Sequence, residues 1–202
     1  MQKAPNSTAQ EAQENRAAGS FNKPMLNFDG LNYSRASNPD TVGDVGPNHY
    51  IQMINGAGGA SFKIFDKSAG VLVLGTSLSS LAPSGARCAS GTGDPIVLYD
   101  PLANRWLMSE IAKPVASQLD RLCVYISKTP NPVTGGWWTY EFATPGFPDY
   151  PHYAVWPDAY YVGVNEVEAP EPGGSFASAY ALDRKKMLKG QAAGFKDRKS
   201  VV

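Results

Sequence analysis

The sequence predicts an all-β fold made of three four-stranded units, and three observations support that prediction. One pattern recurs three times: a short apolar run, a turn with Pro plus Asp or Asn, and a strand led by an aromatic residue. The leading residues Tyr50, Trp106 and Tyr161 lie 56 and 55 residues apart. Aromatic residues make up 11% of the chain, and its 20 Gly and 16 Pro favour turns over helices. A hairpin that recurs at this period is typical of β-propeller blades.

The first repeat predicts a blade over about residues 38–90. Its inner hairpin covers residues 40–55, with Pro47 in the turn. Residues 60–66 alternate between apolar and polar side chains, as a half-buried strand does. The apolar run at 71–74 is the fourth strand, and the segment after it is a linker.

The second repeat predicts a blade over about residues 91–147. Its inner hairpin covers residues 93–110 and turns at Pro101. Two further strands, at 122–127 and 137–142, are separated by a cluster of Thr, Pro, Asn and Gly that is typical of a turn.

The third repeat predicts a blade over about residues 148–195 that lacks a convincing final strand. A hairpin at 149–165, a turn at 169–174 and a strand at 175–181 are followed by a short helix, which Asp183 begins and Gly190 ends. Residues 196–202 are predicted to be a tail. We therefore expect the chain to be part of a longer protein.

The N-terminal residues 1–27 are predicted to be a disordered or extended arm. The first twenty are mostly Ala, Gln, Asn, Glu and Ser, with no apolar segment of the kind a signal peptide carries. Elsewhere no run of 18 apolar residues predicts a membrane span.

The charge balance argues against nucleic acid and membrane surfaces as partners. Lys and Arg number 18, as do Asp and Glu, so the formal net charge is zero and no global field attracts a polyanion. The expected partner is a carbohydrate or another small molecule.

The two cysteines, Cys88 and Cys123, flank the second repeat. A disulfide between them is expected if the protein is exported, and the alternative is two buried thiols in a reduced protein. A soft-ligand metal site is disfavoured because only two histidines are available and no CxxC pair occurs.

Carboxylates near the starts of the inner strands are the candidate catalytic groups. A propeller places those starts around one axial funnel, and a pair of facing carboxylates is what glycoside hydrolysis requires. A histidine there could carry a proton near neutral pH. The predicted catalytic residues are Asp94, Asp44, Glu166 and His152.

Other roles for these residues remain open. Asp beside Pro or Gly commonly caps a turn by accepting from backbone N–H groups, so Asp94 could be structural. A carboxylate ring containing Asp40 and Asp149 could bind Ca²⁺, and no other cofactor is expected. Most aromatic residues should pack between blades. The predicted substrate-binding residues are Trp156, Asp158, Tyr160 and His49.

Three segments carry a resemblance to known proteins. Residues 39–50, 93–107 and 147–161 resemble a group of large secreted bacterial propeller proteins of ill-defined function, over about residues 28–195. This resemblance implies a longer parent that is secreted or periplasmic. A weaker similarity links Gly93-Asp94-Pro95 to propeller glycosidases of the arabinanase and xylosidase type. There, an Asp beside a Pro on an innermost strand acts as the base and a Glu from a later blade as the acid, which implies a base role for Asp94.

Two functions follow as hypotheses: a glycosidase with funnel carboxylates, or a secreted binding or scaffold module that uses the funnel without chemistry. Three blades are too few to close a ring, because propellers typically have four to eight. A homodimer would supply six blades. The alternative is a monomer whose ends are capped by residues 1–31 or 185–202.

Overall fold

The chain forms three four-stranded antiparallel sheets, each with its strands in chain order. We call them blades 1, 2 and 3. A computed structural model describes residues 26–32, 34–167 and 175–199. Its strands and one α-helix are β1 (Val42–Val45), β2 (His49–Gly56), β3 (Gly59–Asp66), β4 (Leu72–Ser77), β5 (Gly91–Asp100), β6 (Arg105–Ala112), β7 (Asp120–Ser127), β8 (Trp137–Thr144), β9 (Phe147–Val155), β10 (Tyr160–Val167), β11 (Ser175–Leu182), α1 (Arg184–Met187) and β12 (Phe195–Lys199).

The three predicted inner hairpins are confirmed. The strand pairs β1–β2, β5–β6 and β9–β10 turn at Pro47, Pro101 and Pro157 respectively. Proline has no N–H to donate to a ladder, so it is favoured in the turn that closes a hairpin. The architecture is all-β and consistent with propeller blades.

One hydrophobic core lies between blades 1 and 2. Ile51 and Met53 of β2 pack with Trp106 and Met108 of β6 and with Tyr125 of β7, and all five side chains are at most 1% exposed. Because side chains alternate across a strand, these positions share one face of each sheet.

A second core lies between blades 2 and 3. Leu107 of β6 and Val124 of β7 pack with Tyr160 and Val162 of β10. Trp106 and Tyr160 therefore face the preceding blade, whereas Tyr161 faces away from it. The third aromatic anchor of the repeat is thus Tyr160, one residue before the predicted Tyr161.

The outer faces of blades 1 and 3, which do not pack on another blade, differ in the residues that lie on them. On blade 1, Phe28 packs against Tyr50 and Phe65, and the Leu31 N–H donates to Gln52 Oε1 at 2.6 Å. On blade 3, the outer face presents exposed positions on β10 and β11, at Tyr161, Gly163, Ala177 and Ala179.

The prediction that residues 196–202 form a tail is wrong for residues 196–199. Residues 195–199 form β12, which pairs with β11 and completes blade 3. The strand was missed because it is short and mostly charged, as an edge strand often is. Its apolar residue, Phe195, packs edge-on against Phe142 and Tyr180.

The predicted helix is confirmed as the short α1. Asp183 is its N-cap and accepts from the Lys186 N–H, and Gly190 has a φ of 67°, which suits a chain reversal after a helix. In the described ranges, no helix has the length and apolar character needed to cross a membrane. The predictions for residues 1–25, 169–174 and 200–202 lie outside the described residues.

Cys88 and Cys123 are joined by a disulfide, with Cα atoms 5.6 Å apart. Cys88 lies in a 3₁₀ turn, Arg87–Ala89, of the linker between blades 1 and 2. The Cys88 N–H also donates to Glu141 Oε1 at 2.9 Å, so the linker is held against β7 and β8. Of the two states that the sequence left open, the structure has the bonded one.

Candidate functional site

The starts of the three inner strands, β1, β5 and β9, converge on one cleft with a volume of about 510 Å³. This lies within the range of about 300–1,000 Å³ found for small-molecule sites. The cleft lies where the repeats place the starts of the inner strands. Its lining comprises Asn38, Asp40, Thr41, Val42, Asp94, Pro95, Ile96, Asp149, Tyr150, Pro151, His152 and Asn165.

At the start of each inner strand, one residue that lines the cleft has a left-handed backbone conformation. The φ angles are 40° at Asp40, 53° at Asp94 and 52° at Tyr150. Asp94 and Tyr150 each precede a proline, and the β5–β6 and β9–β10 registers shift beside them. Such bulges redirect side chains, here at the cleft entrance.

Hydrogen bonds link the three blades beside the cleft. Asn55 accepts from the Asp94 N–H through Oδ1 at 2.9 Å and donates through Nδ2 to Asp40 Oδ2 at 2.7 Å. Asp94 Oδ2 in turn accepts from the Tyr150 N–H at 3.4 Å. The Asp94 side chain therefore accepts from the backbone of blade 3 and so joins two blades.

The electrostatics of the cleft set Asp94 apart. Partial burial raises the pKa of Asp94, and the nearby Asp149 and Asp40 carboxylates raise it further, while hydrogen bonds from Tyr150 and Asn55 oppose the change. Both raising effects disfavour a charged carboxylate. Asp94 therefore keeps its proton to a higher pH than an ordinary aspartate.

Aromatic rings line the side of the cleft formed by β9. Tyr150 is 64% exposed, and its ring meets the exposed His152 ring edge-on with centroids 4.4 Å apart. His152 is thus in the cleft with Asp94, as the catalytic hypothesis requires.

Two of the predicted catalytic residues lie elsewhere. Asp44 accepts from the Tyr99 N–H at 2.7 Å and so joins β1 to β5. Glu166 is completely buried and accepts from the hydroxyls of Ser178, at 2.8 Å, and Tyr180. Neither residue lines the cleft, so the carboxylates available there are Asp40, Asp94 and Asp149.

The predicted substrate-binding residues lie at or beside the turns of the inner hairpins, at the ends of the hairpins away from the cleft. Trp156 and Asp158 are in the β9–β10 turn, and Tyr160 is buried with its hydroxyl 2.8 Å from Asp100 Oδ2. His49 begins β2, where burial lowers its pKa and the Asp66 charge partly opposes that effect. The cleft side chains around Asp94 are therefore a separate set.

The expected Ca²⁺ ligands Asp40 and Asp149 both line the cleft. Within the described part of the chain, however, no three His, Cys, Asp or Glu side chains come together in a group that could hold a metal ion. The Ca²⁺ hypothesis thus lacks a three-ligand group in this region.

Tyr150 and the polar residues Asn38, Asn55 and Asn165 were not among the predicted site residues. A signal for Tyr150 exists: Tyr150-Pro151 occupies the same place at the start of β9 that Asp94-Pro95 occupies at the start of β5. The repeat that identified Asp94 could therefore have identified Tyr150.

Comparisons of the chain with protein-family models, with curated proteins and with solved structures give no match.

Proposed function

We propose that the protein is a glycoside hydrolase that acts in the axial cleft. One observation carries this proposal: three carboxylates from three different blades line the same cleft, and one of them, Asp94, has a raised pKa. Carboxyl groups whose surroundings separate their pKa values can act as the acid and the base of one reaction.

In this mechanism Asp94 donates its proton to the glycosidic oxygen as the bond to the leaving sugar breaks. Asp149 or Asp40 takes the proton of a water molecule that attacks the anomeric carbon, or attacks that carbon itself to form a glycosyl ester that water then hydrolyses. The glycosidase resemblance implies a base role for Asp94, whereas its raised pKa favours the acid role. His152 is a second group in the cleft that can carry a proton near neutral pH.

We predict that Asp94→Asn lowers kcat/KM at least about a hundredfold on chromogenic glycosides, because general acid catalysis typically contributes about 10²–10⁴-fold. The amide oxygen of Asn can still accept from the Tyr150 N–H, so the fold should survive. The wild-type rate should fall as pH rises through the raised pKa of Asp94, because the acid must be protonated.

Asp158→Asn is the matched control, since Asp158 lies in the β9–β10 turn outside the cleft. It should keep the wild-type rate. Near wild-type activity in a folded Asp94→Asn variant would contradict the proposed role of this residue.

A second candidate function is a secreted binding or scaffold module without chemistry. The hydrogen bonds of Asp94 with Asn55 and Tyr150 favour it, because they join blade 2 to blades 1 and 3 and so give Asp94 a structural role without catalysis. This candidate predicts ligand binding without hydrolysis, and unfolding rather than inactivation when Asp94 is replaced by Ala.

The assembly is part of the same proposal: two copies would combine into one six-bladed propeller and surround a shared funnel. The exposed outer face of blade 3 supports this. Export of the protein is also proposed, and the Cys88–Cys123 disulfide supports it because such bonds persist in oxidising compartments.

A further inference from the structure

Tyr150 is an exposed aromatic residue at the entrance of the cleft. It is 64% exposed although it lies within a strand, and it is not part of either hydrophobic core. Core packing therefore does not account for a large ring at this position. Its phenol instead forms part of the cleft wall beside His152.

The backbone of Tyr150 is held in an unfavourable conformation. Its φ of 52° is uncommon for a residue with a side chain, and Pro151 restricts it further. Strain of this kind destabilises a fold and is concentrated at functional sites. A Gly or Asn would adopt this conformation more readily, so the fold alone does not favour Tyr here.

The ring is also oriented before any ligand arrives. The His152 ring meets it at 81°, and the Tyr150 N–H donates to Asp94 Oδ2. An aromatic side chain held in this way loses little conformational freedom on binding. Tyr150 is 64% exposed, so part of its ring is accessible to a flat apolar surface.

The polar groups around Tyr150 suit a ligand rich in hydroxyl groups. Asn38 and Asn165 supply amide donors and acceptors, and Asp149 supplies acceptors. A sugar ring presents both parts of this chemistry, with C–H groups on its faces and hydroxyls at its edge. An aromatic platform with polar groups at its rim matches that arrangement.

We propose that Tyr150 is the platform on which a ring of a neutral oligosaccharide packs in the axial cleft. This inference rests on the proposed function and names its ligand class and positioning residue. It places the bound sugar directly beside Asp94, because Tyr150 and Asp94 are joined by the backbone hydrogen bond.

The test measures binding of cello-, xylo-, malto- and arabino-tetraose to the full chain by calorimetry. The wild-type chain should bind at least one of them. Tyr150→Asn should weaken that binding at least tenfold, while Tyr150→Phe should change it less than threefold. Leu102→Asn is the control: Leu102 is 59% exposed in the β5–β6 turn, outside both the cleft and the proposed interface, and this variant should bind as the wild type does.

The melting temperature separates binding from folding. Tyr150→Asn should melt at or above the wild-type temperature, because Asn tolerates a positive φ. Unchanged binding by this variant, or no binding of any of the four sugars by the wild type, would overturn the platform role. Binding that depends on Tyr150 without any hydrolysis would support the platform and contradict the glycosidase. Hydrolysis that is lost in Asp94→Asn but unchanged in Tyr150→Asn would support the glycosidase and contradict the platform role of Tyr150.

Discussion

At the scale of single residues, Glu110 makes the stability of the protein depend on pH. Its side chain is fully buried between blades 1 and 2, and burial raises its pKa to about 7, although the Ala60 N–H donates to Oε2 at 3.0 Å. Because the pKa is higher in the folded state, protonation of Glu110 stabilises the folded protein. This stabilisation is present below the ordinary pKa of 4.5 and is lost as pH rises through 7. The difference corresponds to about 3 kcal/mol. We predict that wild type loses up to about this much stability between pH 4.5 and pH 8, relative to Glu110→Gln.

Urea denaturation of both proteins across this pH range measures the effect. The comparison removes the contributions of other titrating groups, because the two chains differ only at Glu110. Parallel stability curves for the two proteins would show that this carboxyl group titrates normally in the folded state.

At the scale of elements, a buried ion pair fastens α1 to blade 2. Arg184 Nη2 lies 2.8 Å from Asp100 Oδ2, and Asp100 is completely buried. The Tyr160 hydroxyl and Arg184 Nε also donate to Asp100 at 2.8 Å. Removing one partner of a buried pair leaves an uncompensated charge, which typically costs about 3–5 kcal/mol. We predict a loss of this size in the free energy of unfolding for Asp100→Asn.

Lys186→Ala is the control for this prediction. Lys186 pairs with Asp183 at 3.1 Å, but its side chain is 53% exposed. An exposed pair contributes at most about 1 kcal/mol, so this variant should be nearly as stable as wild type. If chemical denaturation gives both variants the same small loss, the buried pair does not hold α1 in place.

At the scale of the whole molecule, the proposed dimer depends on the outer face of blade 3, which would be part of its interface. Gly163, Ala177 and Ala179 give this face short side chains and an exposed backbone surface, beside the 41%-exposed Tyr161. Contiguous exposed apolar patches commonly mark interaction sites. We predict a mass of about twice 21.6 kDa by light scattering at micromolar concentration, as expected for a two-fold dimer.

A charge on the proposed interface gives the sharper test. Ala179→Arg should yield the monomer mass, because it buries an unpaired cation. Ala116→Arg, in the exposed β6–β7 loop of the middle blade, should leave the dimer intact. A wild-type mass of 21.6 kDa would rule out the shared propeller. It would favour the capped monomer, for which the packing of Phe28 on Tyr50 already supplies part of the cover on blade 1.

The repeat pattern alone was sufficient to predict the three inner hairpins and the place of Asp94 at the start of an inner strand, whereas the structure decided between the disulfide and the two free thiols that the sequence left open. These follow from local chemistry: alternating side chains define a strand, and Pro with Asp or Asn defines its turn. The charged β12 was missed because its only strong apolar signal is Phe195, and its strand partner β11 lies outside its own sequence window. Pairing, rather than local preference, makes this segment a strand.

Only the tertiary structure decided which carboxylates share the cleft. Asp44 and Glu166 lie in the same repeats as the cleft residues, yet each lies on a different part of its blade and is satisfied by hydrogen bonds there. The β-bulges at Asp94 and Tyr150 shift the register, and a shift of one residue moves a side chain to the other face of the sheet. Such shifts depend on how neighbouring blades pack, so the composition of the site emerges only when the starts of three strands far apart in the sequence meet at one cleft.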